Sequence, residues 1–314
     1  MTLINPSLLQ ATRISVSRKL KDAYDAVPAD ALWHTKLASE VPAKGGGINH
    51  YLTQRIPRLR RWTGARVVNN VKRIAQQILV ADWEDTVGIN VNDIKDDNLG
   101  SYDEIIEGLG RAGRMWPNDV VYEAITNGST ALCVDGQPYF NASHPLEVPG
   151  AASTQSNLHT SMALTAANFE TVVTRMQNLK GEDNKPLGVG MGKLLLVVPP
   201  ALRSTAKMIL SSDQAGYLSN SSSTASDSNR NKGEADYLVI PDLTANSAST
   251  WYVIDPNLPL KPFLFVVQEK PDNVVSKDRP TDDNVFDLNE AVYGVSARGE
   301  YGYGMWQAAH KCTA

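Results

Sequence analysis

Residues 292–307 read Val292-Tyr293-Gly294-Val295-Ser296-Ala297-Arg298-Gly299-Glu300-Tyr301-Gly302-Tyr303-Gly304-Met305-Trp306-Gln307, and no charged side chain follows Glu300 until Lys311. Glycines alternating with aromatics are strand chemistry. The glycines mark places where another backbone must come close. Such a run is unsuited to a solvated tail and predicts a C-terminus built into a sheet.

The chain has 314 residues, too many for one minimal domain and comfortable for two. Its apolar share of 42% allows a sizeable core, and its net charge of −4 excludes nucleic-acid binding by bulk electrostatics. No apolar run approaches the ~18 residues of a membrane span. The opening Met1-Thr2-Leu3-Ile4-Asn5-Pro6 lacks the basic and apolar regions of a secretory signal. Cys133 and Cys312 are too few for a disulfide framework and lack metal-site spacing. They read as reduced thiols of a cytosolic product, although spacing alone leaves a bridge between them open.

From Arg13 to Val27 the apolar residues Ile14, Val16, Leu20, Ala23, Tyr24 and Val27 follow helical spacing, opposite Arg18, Lys19, Lys21 and Asp22. This predicts a detached N-terminal arm with one amphipathic helix, ended before Gly45-Gly46-Gly47. From residue 50 the chain changes character. Arg55, Arg58, Arg60, Arg61, Arg66, Lys72 and Arg73 occur with no acid among them; Asp82, Glu84, Asp85, Asp93, Asp96 and Asp97 follow with only Lys95 against them. Period-two apolar residues at Val87, Ile89 and Val91 complete the pattern of a long two-stranded excursion, basic outward and acidic on its return.

Ser101 and Glu104 form a capping-box pattern that opens a helix weakened by Gly108, Gly110 and Gly113, each by about 1 kcal/mol against alanine. That cost predicts tight packing. Pro117 is expected to stop this helix and start a second one over 118–126. Thr130 to Phe140 reads as a hairpin around Asp135-Gly136. Thr165 caps another helix, Lys193 to Val198 is a short buried strand, and Pro199-Pro200 opens a helix to about Ser211. The stretch 211–235, rich in Ser and Asn, is expected to be a mobile surface loop. Strands are expected at 237–240, 251–254, 263–268 and 292–298. The class is α+β, with helices and antiparallel strands segregated.

Asp135 and His144 suggest a hydrolytic acid–base pair, but Ser143 is wrongly placed for the His to activate. The plainer reading is a turn Asp and a loop His. Gly188-Val189-Gly190-Met191-Gly192 precedes a strand rather than following one, so it lacks the helix N-terminus of a dinucleotide site and reads as a flexible entry loop. No cofactor or metal site is expected. The basic run 55–73, which includes Trp62, suits either phosphate contact or forked pairing with carboxylates of an identical neighbour. Opposite charges in separate blocks favour heterologous self-assembly. The candidate inter-subunit contacts are therefore Arg55, Arg58, Arg60, Arg61 and Arg66, and the acids Asp82, Glu84, Asp85, Asp96 and Asp97.

Several blocks resemble the Mu-like phage major head subunit family, in the same order. They are Arg66-Val67-Val68-Asn69-Asn70 with 92–97, Asp135-Gly136-Gln137-Pro138-Tyr139-Phe140 with His144-Pro145, and Leu195-Leu196-Val197-Val198-Pro199-Pro200. Trp251-Tyr252-Val253-Ile254-Asp255 with Lys261-Pro262 follows, and the run from Ala297 through Trp306-Gln307 to Ala309 closes the chain. The 211–235 stretch and the N-terminal arm depart from the family pattern.

The resemblance implies a Hong Kong 97-type capsid fold. It would comprise an N-terminal arm (1–47), an E-loop (48–97), a P-domain with a spine helix (98–184), an A-domain (185–260) and closing P-domain strands (261–314). It implies a structural protein rather than an enzyme: the major capsid protein of a tailed bacteriophage, self-assembling as hexamers and pentamers into an icosahedral head around double-stranded DNA. Implied partners are further copies of itself, scaffold, portal and cementing proteins, and packaged DNA touched non-specifically on the inner face. The implied location is the virion, after assembly in the bacterial host cytoplasm. Because the chain opens at Met1, no long scaffolding propeptide is expected to have been cut from it. The competing readings are a hydrolase using Asp135 and His144, and a stand-alone DNA-binding protein using Arg55–Arg73.

Overall fold

The computed structural model describes residues 6–52, 61, 64, 74–96, 99–148, 151–181, 184–213 and 229–314. The N-terminal half contains α1 (Pro6–Ala26), α2 (His34–Leu37), β1 (Ala38–Pro42), β2 (Gly47–Leu52), β3 (Ile74–Leu79), β4 (Ala81–Asn90), α3 (Val91–Lys95) and α4 (Asp103–Asn127). The middle adds β5 (His144–Val148), β6 (Ala151–Gln155), β7 (Leu158–His159), α5 (Ala166–Gln177), β8 (Leu194–Val198) and α6 (Arg203–Ser211). The last third holds β9 (Ala235–Val239), β10 (Trp251–Ile254), β11 (Phe263–Glu269), β12 (Val274–Lys277), α7 (Asp283–Leu288), β13 (Glu290–Tyr303) and β14 (Ala309–Cys312).

Two five-stranded sheets organise the chain. The first runs β1-β11-β13-β12, with β4 pairing β13 along its other edge. The second runs β7-β14-β10-β8-β9. Each contains at least one parallel pair, β1 with β11 in the first and β8 with β9 in the second, so the sheets are mixed rather than purely antiparallel. The fully buried Leu194–Val198 and Trp251–Ile254 are short continuous apolar runs, as expected of strands covered on both faces.

The C-terminal glycines do what their alternation predicts. A Cβ at Gly299 would lie 2.7 Å from the Trp116 ring and 2.8 Å from the Val266 carbonyl; one at Gly304 would fall on the Lys261 carbonyl. The run does more than close the first sheet. β14 pairs antiparallel with β10, so the last residues belong to the second sheet, and 261–314 does not stay with one layer. The 3-10 turn at Trp306–Ala308 carries the chain across.

The spine is one continuous helix, not two. α4 begins at Asp103 behind a 3-10 turn over Leu99–Tyr102, and its N-cap position is Tyr102 rather than Ser101. Pro117 lies inside it, which removes one hydrogen bond and costs about 3 kcal/mol. Trp116, Val120, Val121, Ala124 and Ile125 on either side are all buried in the core, at roughly 1.5–3 kcal/mol for each large side chain. Tertiary burial therefore outweighs the local break. Two of the three glycines pack closely. A Cβ at Gly113 would lie 3.2 Å from the Pro271 carbonyl, and one at Gly110 would land on the Leu20 carbonyl of α1; Gly108 faces open space.

That contact shows where the N-terminal helix goes. α1 is not detached: Leu9, Val16 and Leu20 are buried in a cluster with Ile106, Leu109, Ile89 and Val295. Lys19 pairs with Asp103 at the start of α4. Ile14 is 61% exposed, so the buried stripe runs through Leu9 and Thr12 instead. Gly110→Leu should separate α1 from α4, with an overpacking cost of about 1–3 kcal/mol. Amide exchange across 9–24 should rise while the second sheet stays protected. Unchanged protection of α1 would show that the crossing is not held at Gly110.

Two expected loops are more ordered than their composition suggests. Gly190 N–H donates to Asp255 Oδ2 at 2.7 Å and its carbonyl accepts from Gln177 at 2.9 Å, so 188–192 is a pinned turn. Asn229 and Asn231 are buried, and Asn229 Nδ2 donates to the carbonyls of Ile209 and Ser212. The remainder of the 211–235 stretch, 214–228, lies outside the described residues.

Candidate assembly interface

The excursion predicted over 48–97 divides in two. Among the described residues β2 and β3 form a two-stranded sheet of their own, from Gly47↔Leu79 at the root to Leu52↔Ile74 at the far end. The root is anchored: Ile78 is buried with Ala43, Leu264 and Val266, and a Cβ at Gly302 would fall on its Cδ1. The acidic return does not travel with this ribbon. β4 pairs with β13 over ten positions, Ala81↔Gly299 to Asn90↔Glu290, and Ile89, Val91 and Ile94 are buried. The ribbon therefore ends before Ala81, where β4 begins. A strand's backbone N–H and C=O groups need a ladder partner, and the edge of β13 supplies one.

The predicted contact residues fall accordingly. Asp82, Glu84 and Asp85 stand on β4 at the surface. Asp82 is paired with Arg298 Nε at 2.6 Å across the β4–β13 ladder, a partner the charge-block reading missed although Arg298 sits in the quoted C-terminal run. Glu84 accepts from the Thr86 hydroxyl and Asp85 from the Thr86 N–H. Asp96 is exposed just past α3 and Arg61 is exposed. Arg55, Arg58, Arg60, Arg66 and Asp97 lie outside the described residues.

Asp135 and His144 do come together: Asp135 is a turn Asp as expected, but His144 is not a loop His. His144 opens β5 and is fully buried; its Nδ1 lies 2.6 Å from Asp135 Oδ2. Nε2 faces Asn157 Oδ1 at 3.1 Å, and the Asn157 amide nitrogen is spent on the carbonyls of Tyr139, Trp306 and Ala309. Both ring nitrogens thus face acceptors, and the ring stacks on Trp306 at 3.9 Å. Burial raises the Asp135 carboxyl, but hydrogen bonds from His144, Cys133 and the Gln137 N–H outweigh it and hold it below its ordinary value. No ring nitrogen is left for a nucleophile, and Ser143 is exposed.

Cys133, Asp135 and His144 could in principle converge on a metal, since their ligand atoms lie within 4.8 Å of one another. Those atoms are already committed to each other: Cys133 Sγ donates to Asp135 Oδ1 at 2.9 Å. Burial, then that bond, pushes the thiol up, so the donor set suits a structural knot rather than a cation. Both cysteines are buried and free.

The model of the Mu-like prophage major head subunit gpT matches residues 9–162, 158–243 and 239–314, nearly the whole chain. The chain belongs to the Mu-like prophage major head subunit family. It is a phage major capsid protein. It is 24% identical over 310 residues to the Mu-like prophage FluMu major head subunit of Haemophilus influenzae, covering 99% of this chain and 74% of that protein. To the major capsid protein of Escherichia phage Mu it is 22% identical over 307 residues, covering 98% and 74%. Among solved structures, the procapsid of bacteriophage JBD30 superposes with a TM-score of 0.60 at 24% identity, covering 99% of this chain and 76% of that one. The mature capsid of bacteriophage PhiM1 superposes at 0.51, with 12% identity and 89% and 86% covered. These likenesses show the Hong Kong 97-like capsid fold. No helix among the described residues is long and apolar enough to cross a membrane.

Proposed function

We propose that this head subunit assembles as hexamers and pentamers into the icosahedral shell of a tailed phage around double-stranded DNA, and that it does so without catalysing a reaction. In this reading α1 and its connection form the arm, residues 47–80 form the E-loop, α4 is the spine of a P-domain built on the first sheet, and the second sheet is the A-domain core. The observation that carries it is the β2–β3 ribbon, which pairs with neither sheet. A two-stranded ribbon is marginal by itself, and laying it on a neighbouring copy supplies the missing burial. The basic 55–73 stretch and the acidic face of β4 supply register.

The JBD30 capsid is decorated with minor capsid protein trimers, which supports a cementing partner for this shell too. Scaffold and portal proteins, non-specific DNA contact on the inner face and assembly in the host cytoplasm complete the reading. The test is Arg60→Glu with Arg61→Glu. Surface charges contribute little to a monomer, so the subunit should fold with unchanged thermal stability. Particle yield by negative-stain microscopy should drop at least about tenfold, since repeated like-charge contacts cost several kcal/mol. Undiminished yield would count decisively against the charged interface.

A further inference from the structure

After Glu300 the chain carries no charged side chain until Lys311, and the fold leaves that lysine half-buried. Lys311 on β14 stands directly opposite Tyr252 on β10, so the two side chains share one face of the second sheet. Thr250, two positions before Tyr252, continues that face. The end of α4 brings Thr126 and Ser129 to the same place, and Leu243 supplies an apolar wall from the 3-10 turn at Pro241–Ala245. Together they line a pocket of about 270 Å³, room for about nine waters at ~30 Å³ each.

Among the described residues no carboxylate lines this pocket or pairs with Lys311. Its ammonium can donate three hydrogen bonds, and one goes to Ser129 Oγ at 2.8 Å. Nζ also lies over the Phe140 ring, 5.8 Å from its centre. Burial lowers the Lys311 pKa, and no neighbouring acid raises it back. A helix C-terminus can hold a cation, but at the end of α4 the carbonyls of Glu123, Ala124, Asn127 and Gly128 already accept hydrogen bonds from within the chain. Tyr252 is 4% exposed and Thr250 8%, yet neither hydroxyl has a hydrogen-bond partner among the described residues. Neither oxygen is sealed from solvent, so each opens on the pocket it lines. Ser129 Oγ accepts from Lys311 and keeps its own proton to donate. The wall thus offers one uncompensated positive charge and three hydroxyls from separate elements. An ammonium is a point charge that suits phosphate, whereas a flat carboxylate is matched by a guanidinium fork.

We propose that this pocket binds a small tetrahedral oxyanion of the phosphate class, with Lys311 supplying the charge and the hydroxyls of Tyr252, Thr250 and Ser129 donating to its oxygens. The pocket is built from one chain, so it should fill in the free subunit whether or not shells form.

Calorimetric titration of the purified subunit with inorganic phosphate, at an ionic strength held constant with chloride, should show one saturable site per chain with a Kd below about 1 mM. Acetate should bind at least about fivefold more weakly. Lys311→Met keeps an unbranched stem and removes the charge. It should weaken phosphate binding at least about tenfold, while the melting temperature without phosphate holds or rises, because an unpaired half-buried ammonium is gone. Tyr252→Phe keeps the ring and should weaken binding several-fold. Glycerol phosphate is the second arm: tighter binding than inorganic phosphate makes the occupant an esterified phosphate, and weaker binding makes it the free ion. No saturable binding to the parent chain overturns the site. So does acetate binding as tight as phosphate, or undiminished affinity in Lys311→Met. If Lys311→Met does not fold, the parent titration and Tyr252→Phe decide, and unchanged affinity in Tyr252→Phe then overturns the site.

Discussion

His144→Ala should destabilise the isolated subunit by about 3–5 kcal/mol, the usual cost of removing one partner from a buried ion pair. The substitution strands the Asp135 carboxylate in the core and removes the ring stacked on Trp306. It also frees Asn157 Oδ1, which ties the 141 backbone to β5. For a domain that is stable by about 5–15 kcal/mol, that loss consumes from about a fifth to all of the margin. Urea titration of the purified subunit measures this, with Ser143→Ala as the neighbouring control, expected within about 0.5 kcal/mol of the parent. A loss below about 1 kcal/mol for His144→Ala would show that the knot of Asp135, His144 and Asn157 does not hold β5 in place.

Acid should weaken the second sheet through a different histidine pair. Arg175 Nη1 lies 2.9 Å from His159 Nδ1, and His159 Nε2 lies 2.9 Å from His310 Nδ1. Guanidinium can only donate, so His159 Nδ1 accepts, its proton sits on Nε2, and His310 in turn accepts on Nδ1. Both rings are neutral. Burial, then the Arg175 charge, lowers His159 from 6.5 to about 4. Burial, then the repulsion His159 would exert once protonated and the charge of Arg175, holds His310 well below its ordinary value. The native state therefore binds fewer protons than the unfolded chain as pH falls through 6.5. The associated stability is complete above the unfolded value and is lost as pH drops toward 4, by about 3 kcal/mol for His159 alone. Urea midpoints at pH 7.5 and 4.5 should differ accordingly. His159→Gln, which can still accept from Arg175 and donate to His310, should reduce the difference. An identical pH dependence in parent and variant would remove these rings as the cause.

Local reading served where the signal was local. Leu194–Val198, Trp251–Ile254 and Phe263–Glu269 are strands where continuous apolar runs predict them. The glycines at 299, 302 and 304 sit under other residues as their alternation with aromatics requires. The ordered blocks that resemble the family lie in a chain whose family membership spans 9–314. The acids on β4 are exposed as their charge demands, but their place beside the Trp83–Trp116 pair could not be read, because Trp116 and Trp83 meet only once α4 lies on the sheet.

Three features were decided by tertiary structure alone. Pro117 is a helix stop by every local rule, yet α4 runs through it, because the residues on both sides bury more apolar surface than one lost hydrogen bond costs. His144 has the neighbours of a loop residue, but Asp135, Asn157 and Trp306 close around it and make it core. The charge change near Asp82 suggested a returning loop strand, whereas β4 pairs Ala81 with Gly299 and joins the body. By itself the sequence determined many of the strands and helices and which family they spell, since propensity and pattern are local properties of the chain. Which strand each would pair with, and which polar groups the core would enclose, depended on residues hundreds of positions away, because ladder partners and burial exist only once the chain has folded.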